Sequence, residues 1–377
     1  MNTTGIIRNA VICAAALLCG AVAGAQTKTP ELLKASDFET EIDGKHVGLY
    51  TITNGTITAQ VTNFGGYVVG LFTPDKDGNY DNVVGHNDNI AQYQSFSRNP
   101  VGSALGRYAN RIGNATFTID GVKYEVTKNN GQHILHGGNK GFGNIVWDVE
   151  KVKKNSVTFS CLLEDGLDGF PGNIKTYLTF AITRDNGLSI SYSATTDKAT
   201  VCSLSHHVYF NLDGFHGGDI LGHVLSIDSD SITESDATLI PTGKFLPVDG
   251  TLFDFRKPVR IGDRQFAMPA GRGFGPGQPA VQIPEGMVRS YDQNFCLNHK
   301  KAGKIEHVAT LYSPASGRQM EFLNNHPGMQ LFTGNRAAVA MESQMYPDSP
   351  NKPEFPSTLL RPGQKYKHTV IYRFSVK

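Results

Sequence analysis

Turn-forming pairs recur about every ten residues along most of this chain, and that punctuation restricts it to short strands in a sandwich or barrel. Asn54-Gly55, Gly65-Gly66, Asp77-Gly78, Asp120-Gly121 and Asn186-Gly187 each interrupt a segment in which apolar and polar residues alternate. The clearest unit runs from Ala115 to Val126. Phe117 and Ile119 share one side, Asp120-Gly121 predicts a type I′ turn, and Val122, Tyr124 and Val126 alternate on the return. Between Tyr50 and Thr73, Ile57, Ala59 and Val61 fall on one face of a strand. Further strands are expected at 157–163, 175–183, 188–195, 224–232, 308–312, 319–323, 330–333 and 368–376. His86 to Gln94 is polar and suits a short helix or a loop over an edge. The 41 glycines and the scarcity of helical periodicity after residue 30 point the same way, to a large antiparallel all-β domain over 26–377, with two half-domains as the alternative.

Two segments stand apart. Arg8, the apolar run Ala10–Ala21 and the small-x-small triplet Ala23-Gly24-Ala25 form a signal-peptide pattern over 1–25, so export and cleavage before Gln26 are expected. Cys19 raises the question of a lipid anchor, but bulky Leu18 precedes it where a small residue is wanted. No later stretch is apolar for long enough to span a bilayer. The second segment, 265–289, is dominated by Gly and Pro and reads as a long surface loop. Its Gly271-x-Gly273-x-Gly275 run contains Pro276 and follows no buried parallel strand, which removes nucleotide binding as its purpose.

With 35 basic and 34 acidic residues, the chain offers no electrostatic surplus for nucleic acid or an anionic membrane. Cleavage would leave Cys161, Cys202 and Cys296, widely spaced and without a CxxC pair. That is neither a disulfide framework nor a zinc site, and buried thiols are the simpler reading.

Ionisable and amide groups then cluster in five local patterns that a plain β scaffold does not need. Asn110-Arg111 precedes the hairpin, and a guanidinium there can fork onto vicinal hydroxyls or a carboxylate, a surface arginine being the alternative. His136 lies among glycines, which implies close approach of backbone or ligand. His206 and His207 are adjacent on a β-prone run, so alternation lets only one of them face a cleft. Asp292 follows the glycine-rich loop and reads as a loop carboxylate. Glu342, in Val339-Ala340-Met341-Glu342-Ser343-Gln344, sits where apolar neighbours should desolvate it and raise its pKa toward general-base territory. HExxH, GxSxG and carboxylate-rich cation loops are all lacking, so metalloprotease, serine-hydrolase and calcium-loop readings find no support. One carboxylate with one or two histidines, beside amides, an arginine and aromatics, suits acid/base chemistry on a neutral polyol.

Taken in order, GRYANRI at 106–112, LHGG at 135–138, DGxxGFPG at 165–172, HxYFNL at 207–212, DxNF at 292–295, TGN at 333–335, ESQxxPD at 342–348 and LLRPGxxYxH at 359–368 resemble the aldose 1-epimerase family, from roughly Phe38 to Val376. The resemblance implies a galactose mutarotase-like supersandwich, that is, a large antiparallel β-sandwich with an open cleft on one sheet, working without cofactor or metal on a small-molecule sugar. It implies Glu342 as general base, His207 as general acid and His136 as a helper near the ring oxygen. Asn110, Arg111, Asp292 and Gln330 would hold the hydroxyls. His206 departs from the asparagine many members carry, and Met345 from a polar residue. The expectation is an exported, periplasmic or extracellular isomerase of free hexoses, monomeric or weakly dimeric. An enzyme for a phosphorylated or oligosaccharide sugar and a non-catalytic sugar-binding module are the competing readings.

Overall fold

The computed structural model describes residues 28–95, 101–266, 283–334 and 337–377. The signal-peptide segment and the middle of the Gly/Pro loop lie outside the described residues. Where the sequence alternates, the chain forms antiparallel strands, and three sheets account for most of them. A nine-stranded sheet carries, in spatial order, strands beginning at Asp148, Ser156, Ile174, Gly187, Tyr366, Arg318, Glu306, Val224 and Val259. A six-stranded sheet carries strands beginning at Tyr209, Val339, Gly328, Asp292, Ser229 and Pro241. A four-stranded sheet is built from Leu49–Thr53, Thr58–Thr62, Val68–Pro74 and Tyr80–Asn82.

Strand periodicity explains why the two larger sheets stack. In Ile174–Ile182 every second residue is buried (Ile174, Thr176, Leu178, Phe180, Ile182), and Leu188, Ile190, Tyr192 and Ala194 repeat the pattern one strand over. On the six-stranded sheet Phe295, Met329, Leu331, Val339 and Met341 supply the opposing apolar face, and all of these aliphatic and aromatic side chains belong to one continuous core. The Tyr372 hydroxyl donates to the Met341 carbonyl at 2.9 Å, tying one sheet to the other across that core.

The expected strand 224–232 is in fact two. Val224–Ile227 lies in the nine-stranded sheet and Ser229–Ser235 in the six-stranded one, so the chain changes layers across Asp228 alone. The Asp228 N–H donates to the Val308 carbonyl on one side, and its carbonyl accepts from the Asn298 N–H on the other. Alternation continues through such a switch, which is why a pattern of side chains does not reveal it. The hairpin forms as expected over Thr116–Ile119 and Val122–Glu125, with Asp120 and Gly121 at φ +50° and +80°. Val122 faces the same side as Ile119 but lies at the exposed tip. His86–Gln94 ends in a helix at Ile90–Ser95.

Among the described residues, two arginines are fully buried with carbonyl partners. Arg107 donates to the carbonyls of Pro171, Gly172 and Leu163, and Arg318 to those of Thr73, Leu212 and Asn79. The five N–H donors of one planar guanidinium let a single side chain satisfy several carbonyls at strand ends and in the loops beyond them. The DGxxGFPG stretch is thus held from inside, by Arg107. The three cysteines are free and buried, as the simpler reading expects.

A column of buried imidazoles crosses the interior. His206 donates Nε2–H to the Gly102 carbonyl at 2.9 Å and meets the Tyr192 hydroxyl through Nδ1 at 2.8 Å. Beyond Tyr192, the rings of His368 and His326 stack at 3.6 Å. Burial pushes His206 and His326 down to about 3 and His368 well below the ordinary value. The unfolded chain protonates these rings near pH 6.5 whereas the folded chain resists, so the unfolded state binds more protons as pH falls. Stability should be full above about pH 6.5 and decline toward about pH 3, by up to ~1.4 kcal/mol per pH unit for each ring. Urea midpoints measured from pH 7.5 to 4.5 should fall with acidification, and less steeply in His368→Gln.

Candidate active site

The outward face of the six-stranded sheet carries the polar residues that its inward face cannot. Cross-strand register places Asn294, Gln330 and Glu342 in one row, Asp292, Phe332, Ala340 and Tyr209 in the next, and Gln344 opposite Gly328. Asp292 is therefore not a loop carboxylate: it opens the strand Asp292–Leu297, in mid-sheet. The two-residue period explains the correction, since Phe295 and Leu297 must face the core and so turn Asp292 and Asn294 outward.

A second group arrives over this floor from loops. The segment Ser205–His206 pairs with Ala104–Leu105, and the next residue's N–H, that of His207, donates to the Ser103 carbonyl at 3.0 Å. His206 points into the core, as described above, and His207 points at the sheet: its Nε2 is 3.3 Å from Glu342 Oε1. The question left by the doubled histidine is settled by position. His136 takes φ +54°, uncommon for a side chain larger than glycine, and this bend aims its ring at His207, with centroids 5.5 Å apart. Gly137 follows at φ +89°, where a Cβ would lie 2.0 Å from the Gly106 carbonyl oxygen. That contact is the physical meaning of the glycine pair after His136.

Glu342 is 2% exposed, and among the described residues its Oε2 has no hydrogen-bond partner and no Arg or Lys forms an ion pair with it. Burial pushes its pKa well above the carboxylate range, Asp292 pushes it further, and Arg111 opposes both. Burial holds His207 far below an ordinary imidazole. Both shifts favour the uncharged form of each group, carboxylic acid beside neutral imidazole, so the pair carries a single proton across its 3.3 Å contact. Tyr209 stacks on His207 at 4.7 Å between ring centroids, and Phe332 meets the same ring edge-on.

The remaining residues converge too. Arg111 donates Nε–H to Asn130 Oδ1 at 3.2 Å and sits near enough to Asp292 and Glu342 for their charges to oppose the effect of its burial. Asp292, raised by burial and lowered by Arg111 and Gln330, accepts from Gln330 Nε2 at 2.6 Å. Asn110 donates to Gln344 Oε1 at 3.5 Å. All seven expected site residues therefore share one locale. Sequence reading missed Gln344, Asn294, Tyr209 and Phe332, although the alternation in VAMESQ and DQNF places Gln344 beside Glu342 and Asn294 beside Asp292.

His136, His207 and Glu342 present ligand atoms within 4.8 Å of one another. His136 Nδ1 accepts the Asn110 backbone N–H at 3.1 Å, so the neutral ring carries its proton on Nε2. A metal-bound histidine instead donates its second nitrogen outward. The arrangement makes His136 an N–H donor rather than a ligand. Burial, His207 and Arg111 keep it neutral well below the ordinary value.

The sequence model described as aldose 1-epimerase matches residues 48–373. The chain belongs to the aldose 1-epimerase family. It is 34% identical to human galactose mutarotase over 353 residues, 88% of this chain and 95% of that protein. It is 34% identical to the aldose 1-epimerase of Escherichia coli K12 over 291 residues, 73% of this chain and 80% of that one. A solved aldose epimerase homologue from C. elegans superposes with a TM-score of 0.76 at 30% identity, covering 88% of this chain and 99% of that one. This aldose 1-epimerase family member is accordingly an isomerase with the supersandwich its motifs led us to expect. Long-range proton–nitrogen spectra of its histidines should show His136 as the Nε2–H tautomer and uncharged at pH 6; an Nδ1–H signal would contradict the assignment.

Proposed function

We propose that the protein interconverts the α and β anomers of free aldohexoses such as galactose and glucose, with Glu342 as base and His207 as acid. The observation that carries this reading is the 3.3 Å separation of their reactive atoms. In a pyranose, O1 and the ring oxygen O5 are both bonded to C1, so a pair this close can address both from one side. Glycoside hydrolysis uses two carboxylates about 5 to 9.5 Å apart, a different arrangement.

The reaction balances without any outside reagent. Once the pair's single proton has passed to His207, Glu342 removes the O1 proton, the C1–O1 bond becomes a carbonyl as C1–O5 breaks, and O5 takes the proton of His207. Rotation about C1–C2 then presents the other face of the aldehyde, and the same transfers in reverse close the opposite anomer. His136, held as an Nε2–H donor, polarises O5 as it gains charge. Asn110, Arg111, Asp292 and Gln330 hold hydroxyls so that C1 stays between acid and base while the ring is open. Proton transfer is all the chemistry requires, so no cofactor enters. A phosphorylated substrate would want several cations, and Arg111 is alone among the assigned groups. The names of the relatives, galactose mutarotase and aldose 1-epimerase, agree with the reading.

Polarimetry on fresh α-glucose and α-galactose should show accelerated mutarotation. Glu342→Gln and His207→Asn should each reduce kcat by roughly 10² to 10⁴-fold with unchanged urea midpoints; full activity in both would end the mechanism. The pH dependence of kcat/KM should be bell-shaped, because a second proton on the pair removes the base and loss of the shared one removes the acid. Export belongs to this proposal as well: the mature protein should begin at Gln26 in a periplasmic or extracellular fraction, and intact-mass measurement of an unprocessed cytoplasmic chain would refute it.

A further inference from the structure

Beneath the sugar-facing groups lies a chain of three side-chain amides, all donating in one direction. Asn110 Nδ2 donates to Gln344 Oε1 at 3.5 Å, Gln344 Nε2 donates to Gln330 Oε1 at 3.2 Å, and Gln330 Nε2 donates to Asp292 Oδ1 at 2.6 Å. Both ends are fixed. The Arg111 backbone N–H donates to Asn110 Oδ1 at 2.9 Å, which turns the Asn110 amino group toward Gln344. At the far end an ionised carboxylate can only accept. Gln344 is the middle link and is completely buried, with Gln330 and Asn110 each 4% exposed. Its Nε2 also donates to Asn294 Oδ1 at 3.2 Å, so two acceptors hold the amino group on that side. Room for this junction comes from Gly328 opposite, where a Cβ would sit 2.6 Å from Asn294 Oδ1.

We propose that Gln344 is a positioning residue: by fixing the direction of the amide chain it keeps Gln330 turned amino-side toward Asp292, and so keeps Asp292 an ionised acceptor for a sugar hydroxyl. The inference rests on the proposed function and adds to it a residue that touches neither proton-transfer atom. Turning Gln344 around would set amino against amino at Asn110 and oxygen against oxygen at both Gln330 and Asn294. Gln330 could then relax only by turning its own oxygen to Asp292, and a carboxylate facing an amide oxygen has to take up a proton to remain there.

Two nearly isosteric substitutions separate direction from shape. Gln344→Met removes the junction, leaving Gln330 free to turn. Gln344→Glu keeps size and polarity but, assayed at a pH where its carboxyl is ionised, presents only acceptors, so it draws the Gln330 amino group away from Asp292. Directional control predicts that KM for glucose rises about 10-fold with Met and about 100-fold with Glu, with kcat within about threefold of the parent. A merely structural role predicts the reverse order, with Met the more damaging and kcat falling along with the urea midpoint. A carbon-13 titration of Asp292 in the sugar-free protein should show a raised midpoint in Gln344→Met, a variant that adds no charge. An unmoved Asp292 midpoint, or a Met variant as impaired as the Glu variant, overturns the proposal. Should the parent protein fail to accelerate mutarotation, the function reading falls by itself, while the Asp292 titration, which needs no sugar, still decides the role of Gln344.

Discussion

Alternation along the strands of the six-stranded sheet is the constraint on which everything else depends. Phe295, Met329, Leu331 and Met341 must face the nine-stranded sheet to complete the core, and their strand neighbours have no choice but to face away. The groups proposed for catalysis and binding are therefore placed by the same packing that stabilises the molecule. A shift of register by one residue would bury Glu342, Gln330 and Asp292 in the hydrophobic interior and expose the apolar set. The core thus enforces the floor of the site far more stringently than any loop could.

Over that floor the protein uses backbone devices to lower its histidines into place. His207 is carried by a short pairing with Ala104–Leu105, while His136 depends on a left-handed turn and a glycine that lets two loops touch. Both imidazoles are buried enough to remain neutral unless a partner supplies a proton, and Glu342 is buried enough to compete for one. Environment, more than residue type, decides which of these groups holds a proton.

Much of this was legible in the residues. Turn pairs located five of the hairpins, the doubled histidine with alternation restricted the cleft to one imidazole, and eight motifs carried the resemblance to the family. Three things were hidden for physical reasons. The layer change at Asp228 leaves alternation intact, so a single strand is the natural reading of two. Asp292 follows a glycine-rich stretch, and proximity to a loop concealed its place in mid-sheet. The amide chain through Gln344 exists only once three strands and a loop are assembled, because its links are separated by 14 to 234 positions in sequence.

The close contact between His207 and Glu342 also determines what the cleft can recognise without transforming. A glycoside has an alkyl group in place of the proton on O1, so it offers the carboxylate nothing to remove, and there is no space between two groups 3.3 Å apart for an attacking water. Such a sugar could satisfy the amides, the arginine and Asp292 while remaining chemically inert. Selectivity between free and linked sugars would then be exercised at the first proton transfer, after binding, so that glycosides would act as occupants of the cleft and never as fuel for it.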